Sequence, residues 1–167
     1  MNANPAWTRG ASASGAQPGA ATSEKIILLA EDNADHAELL KHSFRNHRVA
    51  NRIYHVSDGE EALDYLFRRG RYANPADSPR PHLILLDLKM PKVSGIGVLQ
   101  SIRAADEYAG VPVVMLSSSD ADADVEQAYG LHVNSYLVKP LEFDAFSNLM
   151  HDLGYYWLQW NNRPSLS

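Results

Sequence analysis

The sequence has no cysteine, which excludes a disulfide framework, a thiolate metal site and a cysteine nucleophile together. It has no long apolar run either. Its longest stretches, such as Ile26-Ile27-Leu28-Leu29-Ala30, fall far short of the roughly 20 residues of a membrane-crossing helix. Positive charge is scarce: 15 Lys and Arg stand against 20 Asp and Glu, a formal net charge of −5. Without a basic run, nucleic acid is not expected as the main partner. What remains is an ordinary globular mixture, 45% hydrophobic and 21% charged, over 167 residues. That length suits one domain with some chain to spare, and a cytoplasmic protein without membrane attachment is expected.

The spare length lies at the start. Met1 to Ser23 is rich in Ala, Ser, Gly, Asn and Pro, and Arg9 is its only charged side chain. It has no sustained apolar segment, so it does not read as a secretory signal. With so few aliphatic residues it cannot offset the entropy of ordering, so 1–23 is expected to be a disordered tail. The folded domain then spans 24–160, and 161–167 form a short C-terminal tail. No internal repeat of solenoid length is present.

From Glu24 onward, strand and helix patterns alternate. Ile26–Ala30, Ile53–Val56, Leu83–Asp87, Val113–Ser117 and Ser135–Val138 are short runs with strand character. Several are apolar at nearly every position, as parallel strands covered on both faces require. The intervening spacing predicts helices over Asn33–His47, Gly59–Gly70, Gly95–Ala105, Asp122–Gly130 and Glu142–Trp160. Asp58 can cap the second helix, with Glu61 closing a capping box. The last helix aligns Phe146, Leu149, Met150, Leu153, Trp157 and Trp160 on one face. The order is (βα)₅, an α/β doubly wound five-stranded parallel sheet with right-handed crossovers.

Ligands of such sheets bind beyond the carboxyl ends of the strands. There the sequence places Glu31-Asp32 after the first strand, Asp87 on the third, Ser117 on the fourth and Lys139-Pro140 after the fifth. Each alone has a bland reading, since Asp32-Asn33 could simply cap a helix and a strand-end Asp is often a turn residue. Together they suit divalent-metal and phosphoryl chemistry. Three carboxylates and one ammonium leave surplus negative charge, which raises at least one carboxylate pKa unless a cation joins them. Oxygen ligands favour Mg²⁺. An incoming phosphoryl group needs cationic partners, which the metal and Lys139 supply, and a carboxylate attacking phosphorus gives an aspartyl phosphate.

The runs ILLAEDN, LILLDLKMP, PVVMLSS and SYLVKP, in this order and spacing, resemble the receiver domain of two-component response regulators. The likeness spans about Lys25 to Trp160. It implies the flavodoxin-like strand order 2-1-3-4-5, with Asp87 as phosphoacceptor. By the same likeness Asp32 and Asp87 are metal ligands, the Lys89 backbone carbonyl is a third, and Glu31 acts through water. Lys139 and Ser117 contact the phosphoryl group, Ser117 and Tyr136 form the switch pair, and Pro140 follows a cis peptide. Ser117 stands where Thr is commoner, and Ser94 where many receivers have Asp.

The long connection Arg71 to Pro81, the run Leu131 to Tyr136 and the aromatic end Tyr155-Tyr156-Trp157 resemble the single-domain regulators paired with bacterial phytochromes. The implied function is a signalling switch, not an enzyme acting on other substrates. A sensor histidine kinase of the phytochrome type would phosphorylate it, and it would signal through protein contacts as a homodimer. With only 161–167 after Trp160, no output domain is expected. Two alternatives are a phosphorylation-independent adaptor on the same scaffold and an Asp-nucleophile phosphatase. The second expects an acid two residues past the nucleophile, where this chain has Lys89. The terminal aromatic stripe is either core or a self-association patch. His36, His42 and His47 lack metal-pair spacing and read as solvent-facing, with a kinase contact the alternative for His36.

Overall fold

The computed structural model describes residues 24–45 and 51–161. The tail expected over 1–23, the end of the chain over 162–167 and His47 lie outside the described residues. Five strands pair in parallel in the order β2-β1-β3-β4-β5. They are β1 (Lys25–Ala30), β2 (Asn51–Val56), β3 (Leu83–Asp87), β4 (Val113–Ser117) and β5 (Ser135–Val138). The helices between and after them are α1 (Ala34–Arg45), α2 (Gly59–Leu66), α3 (Gly95–Ala104), α4 (Asp122–Gly130) and α5 (Phe143–Gly154). None is long and apolar enough to cross a membrane.

Side chains alternate across a strand, so a strand apolar at every position feeds two cores. Leu28, Ala30, Ile84, Leu86, Val113 and Met115 point to one face and pack with Ala62, Tyr65 and Leu66 of α2 and Val98, Leu99 and Ile102 of α3. Ile27, Leu29, Leu83, Leu85, Val114 and Leu116 point to the other, against Ala37, Leu40 and Phe44 of α1 and Phe146, Met150 and Leu153 of α5. This division covers the sheet on both sides and leaves its carboxyl edge open.

Local chemistry sets the helix ends. Asn33 caps α1, its Oδ1 accepting from the backbone N–H of Asp35 at 3.0 Å and of His36 at 3.1 Å. Asp58 caps α2 by accepting from Glu61 N at 2.8 Å. Glu61 answers one residue earlier than expected, its Oε2 accepting from Ser57 N at 2.8 Å. α2 stops at Leu66, short of the expected Gly70, because Arg68 turns left-handed at φ 54° and Arg69 N donates back to Asp64 O at 2.9 Å. The connection to β3 then makes a short 3₁₀ turn at Gly70–Tyr72. It is tied down by Tyr65 Oη donating to Pro79 O at 2.7 Å and Ser78 Oγ donating to Tyr72 O at 2.9 Å.

Two expectations are corrected. The Lys139–Pro140 peptide is trans, and no cis peptide occurs among the described residues. The trans form is intrinsically favoured before proline, by about 0.5–1 kcal/mol. Lys139 N donates to Ser117 O at 2.7 Å, which sets the strand end in place. The last helix is not α-helical to Trp160: Tyr155–Trp160 forms a π-helical turn, closed by Asn161 N donating to Tyr156 O at 2.8 Å. Five-residue bonding slips the face that a 3.6-residue period predicts. Trp157 therefore stays in the core at 9% exposure, whereas Trp160 swings out to 74%.

Candidate functional site

The fold brings the strand-end residues together. Glu31, Asp87, Ser117 and Lys139 are all buried at the carboxyl edge, and Asp32 is exposed at its rim. Lys139 reaches across from β5, its Nζ donating to Glu31 Oε2 at 2.5 Å and standing 3.0 Å from Asp87 Oδ1. Carboxylate oxygens of Glu31, Asp32 and Asp87 lie within 4.8 Å of one another. Because Asn33 takes the capping role, Asp32 does not spend its carboxylate on the helix end.

Burial pushes the Asp87 carboxyl up to about 6; Lys139 opposes the rise, and the charges of Glu31 and Asp32 add to it. One ammonium does not balance three acids, so the cluster favours an added cation. Three carboxylates converging at this separation make a hard oxygen donor set of the kind that magnesium or manganese takes. Lys89 lies two residues past Asp87 and lines an open cleft of about 600 Å³ with Asp32, Ser94, Asp124 and Gln127. Ser94 caps α3, accepting from Gly97 N at 3.2 Å.

Two glycines shape this edge by close approach. A Cβ on Gly95 would strike the carbonyl oxygen of Asp87, and one on Gly59 would strike that of Val93. The loop after Asp87 is thus gripped between α2 and α3. Lys92, at φ 65°, adds ion pairs to Asp58 at 2.9 Å and Glu60 at 3.1 Å.

The opposite wall is looser. Ser117 Oγ accepts from Ser119 N at 2.9 Å, and Ser119 Oγ donates to Asp124 Oδ2 at 2.7 Å. Tyr136 is partly buried, and its hydroxyl donates to Ser119 O at 2.9 Å. A chain of hydrogen bonds therefore links Ser117 to Tyr136 and α4. Sequence reasoning missed the Ser119–Asp124 link, since nothing in the spacing marks a loop hydroxyl as the partner of a helix acid.

His36 faces solvent in part, as expected, but also has an inward contact that the sequence did not mark. The side chain is 40% exposed, and its Nδ1 lies 3.4 Å from Lys139 Nζ. The available signal was its position one helical turn beyond the capping residue, at the same sheet edge. His42 is exposed on α1, as expected.

Residues 27–151 match the response regulator receiver domain. Over 139 residues the chain is 42% identical to the probable methanogenesis regulatory protein FilR2 of Methanothrix harundinacea, covering 83% of this chain and 87% of that one. Over 141 residues it is 34% identical to the response regulator Rcp1 of Synechocystis, covering 84% and 94%. The solved Mn²⁺-bound form of Rcp1 matches with a TM-score of 0.80 at 33% identity, over 84% of this chain and 99% of that one. The phosphorylated cyanobacterial phytochrome response regulator RcpA matches with a TM-score of 0.81 at 36% identity, over 86% and 100%.

Proposed function

This chain belongs to the response regulator receiver family, and from that premise we propose that it is a single-domain switch phosphorylated on Asp87 by a sensor histidine kinase of the phytochrome type. The observation that carries this reading is the buried Asp87 carboxylate facing Lys139 at 3.0 Å, beside two further acids at the open sheet edge. An Asp87 oxygen attacks phosphorus; the new O–P bond forms as the P–N bond of the kinase phosphohistidine breaks and the imidazole leaves. Lys139 meets the charge on the transferred group, and Ser117 is its second contact.

Asp32, Asp87 and the Lys89 carbonyl are the proposed ligands of a magnesium ion, with Glu31 acting through water. When bound, the ion supplies charge neutralisation for the acids and for the phosphoryl oxygens. The Mn²⁺ in the Rcp1 structure supports this assignment.

Movement of Ser117 toward the phosphoryl group would pull on Ser119 and so on Tyr136 and Asp124, making these residues the switch. The same pocket would serve self-catalysed uptake from small acyl phosphates and slow hydrolysis. The phytochrome pairing rests on the likeness to RcpA. Exposed Tyr156 and Trp160 support a homodimer formed at the end of α5. The proposed location is the cytoplasm, where kinase domains meet their regulators.

The intact acidic cluster counts against a phosphorylation-independent adaptor. Lys89, where a hydrolase would need a second acid, counts against a phosphatase. Incubation with Mg²⁺ and acetyl phosphate should add one phosphoryl group by intact-protein mass spectrometry, and Asp87→Asn should abolish it. Labelling that survives in the variant would refute the assignment.

A further inference from the structure

His36 has no part in the scheme so far. Its ring lies edge-on to Phe146 of α5, with centroids 5.3 Å apart, so packing between α1 and α5 fixes its plane. That plane leaves Nδ1 3.4 Å from Lys139 Nζ. The same nitrogen is 3.8 Å from Glu31 Oε1, so of the two only the lysine lies within hydrogen-bond distance, and Nδ1 accepts from it in the tautomer that carries the ring proton on Nε2. An ammonium has three donors and no acceptor. Here the three face Glu31 Oε2 at 2.5 Å, Asp87 Oδ1 at 3.0 Å and His36 Nδ1 at 3.4 Å.

We propose that His36 is a positioning residue for Lys139: its ring nitrogen helps hold the ammonium beside the acceptor carboxylate and so speeds phosphoryl uptake by Asp87. This rests on Asp87 being the phosphoacceptor. As Asp87 becomes an acyl phosphate it loses the charge that attracts Lys139. The ammonium must then be steadied by its other partners while it meets the phosphoryl oxygens. Without His36 only Glu31 remains, and a flexible four-carbon stem on one anchor is poorly oriented.

The ring contact and the nitrogen contact can be separated. His36→Phe keeps a ring against Phe146 and removes the acceptor; His36→Asn keeps an acceptor near the position of Nδ1 and removes the ring. Initial rates of labelling by acetyl phosphate with Mg²⁺, over a range of donor concentrations, provide the test. The Phe variant should lower the maximal rate about tenfold, as expected for losing a hydrogen bond to a charged group. Its half-saturating donor concentration should change less than the maximal rate, within about twofold, because the hold on Lys139 matters most as Asp87 loses its charge during transfer. The Asn variant should stay within about threefold of wild type. A Phe variant as fast as wild type, or an Asn variant as slow as Phe, would overturn the proposal. If wild type itself takes up no label, the phosphoacceptor reading fails first, and the wild-type arm shows which has failed.

Discussion

Gly95 packs against the backbone of Asp87 so closely that any side chain at 95 would run into the Asp87 carbonyl oxygen. That carbonyl is backbone and cannot rotate away. Gly95→Ala must therefore push α3 off the end of β3 and shift Asp87. The expected cost is about 1–3 kcal/mol in urea denaturation, in the range of other overpacked sites. Phosphoryl uptake should fall on the order of tenfold to a hundredfold, because small misplacements of a reacting group are costly. A variant matching wild type in both measurements would show that the approach is slack.

Asp87 is held at a cost to the fold. The carboxyl of Asp87 titrates at about 6 when folded, against an ordinary 3.8. A raised carboxyl pKa means that the native state binds the proton more tightly, so stability falls as pH rises from about 3.8 through 6 and is level above. The loss is on the order of 3 kcal/mol without a divalent ion. Asp87→Asn should recover most of it at pH 7.5 in EDTA. The gain should shrink as the pH falls through 6 and vanish near 3.8. Added magnesium should stabilise wild type more than the variant and narrow the gap. Equal unfolding free energies of the two proteins across this range would contradict the assigned burial cost.

Two tryptophans three residues apart should behave in opposite ways. Trp157 is core, and Trp157→Ala should cost about 3–5 kcal/mol. Trp160 is exposed, and Trp160→Ala should change stability by less than about 0.5 kcal/mol. If the aromatic end is the dimer contact, Trp160→Ala should convert dimer to monomer in light scattering. A variant that remains as dimeric as wild type would move the interface elsewhere.

The fold was legible wherever one residue type had one physical use. Runs such as Leu83-Ile84-Leu85-Leu86, too short for a helix and bounded by turn residues, fit strands buried on both faces, and the strand ends followed from the topology. Legibility failed where geometry depends on a bond pattern that composition does not record. The π-helical turn moved Trp160 off the stripe although every side chain still fitted a 3.6-residue period. Arg68 ended α2 early by taking a backbone conformation more usual for glycine. At the site, Asp87 and Lys139 stood out because charged groups at a buried edge need a reason. His36 did not, because its partner lies at the far end of the chain.

The two walls of the cleft beside Asp87 differ in kind. On the α2–α3 side, Gly59 against Val93 and Gly95 against Asp87 form an interlock of backbone on backbone, with no slack to absorb a push. On the other side, Ser119 is tied to Ser117, Asp124 and Tyr136 by single hydrogen bonds, worth about 1 kcal/mol net for the neutral pairs and about 1.5–3 for the one to the Asp124 carboxylate. On the proposed reading, a phosphoryl group on Asp87 would draw Ser117 inward, and this curtain would give where the anvil opposite cannot. If Asp87 is the acceptor, a message written there has its heading, through Ser119 to Tyr136, before a recipient is present to receive it.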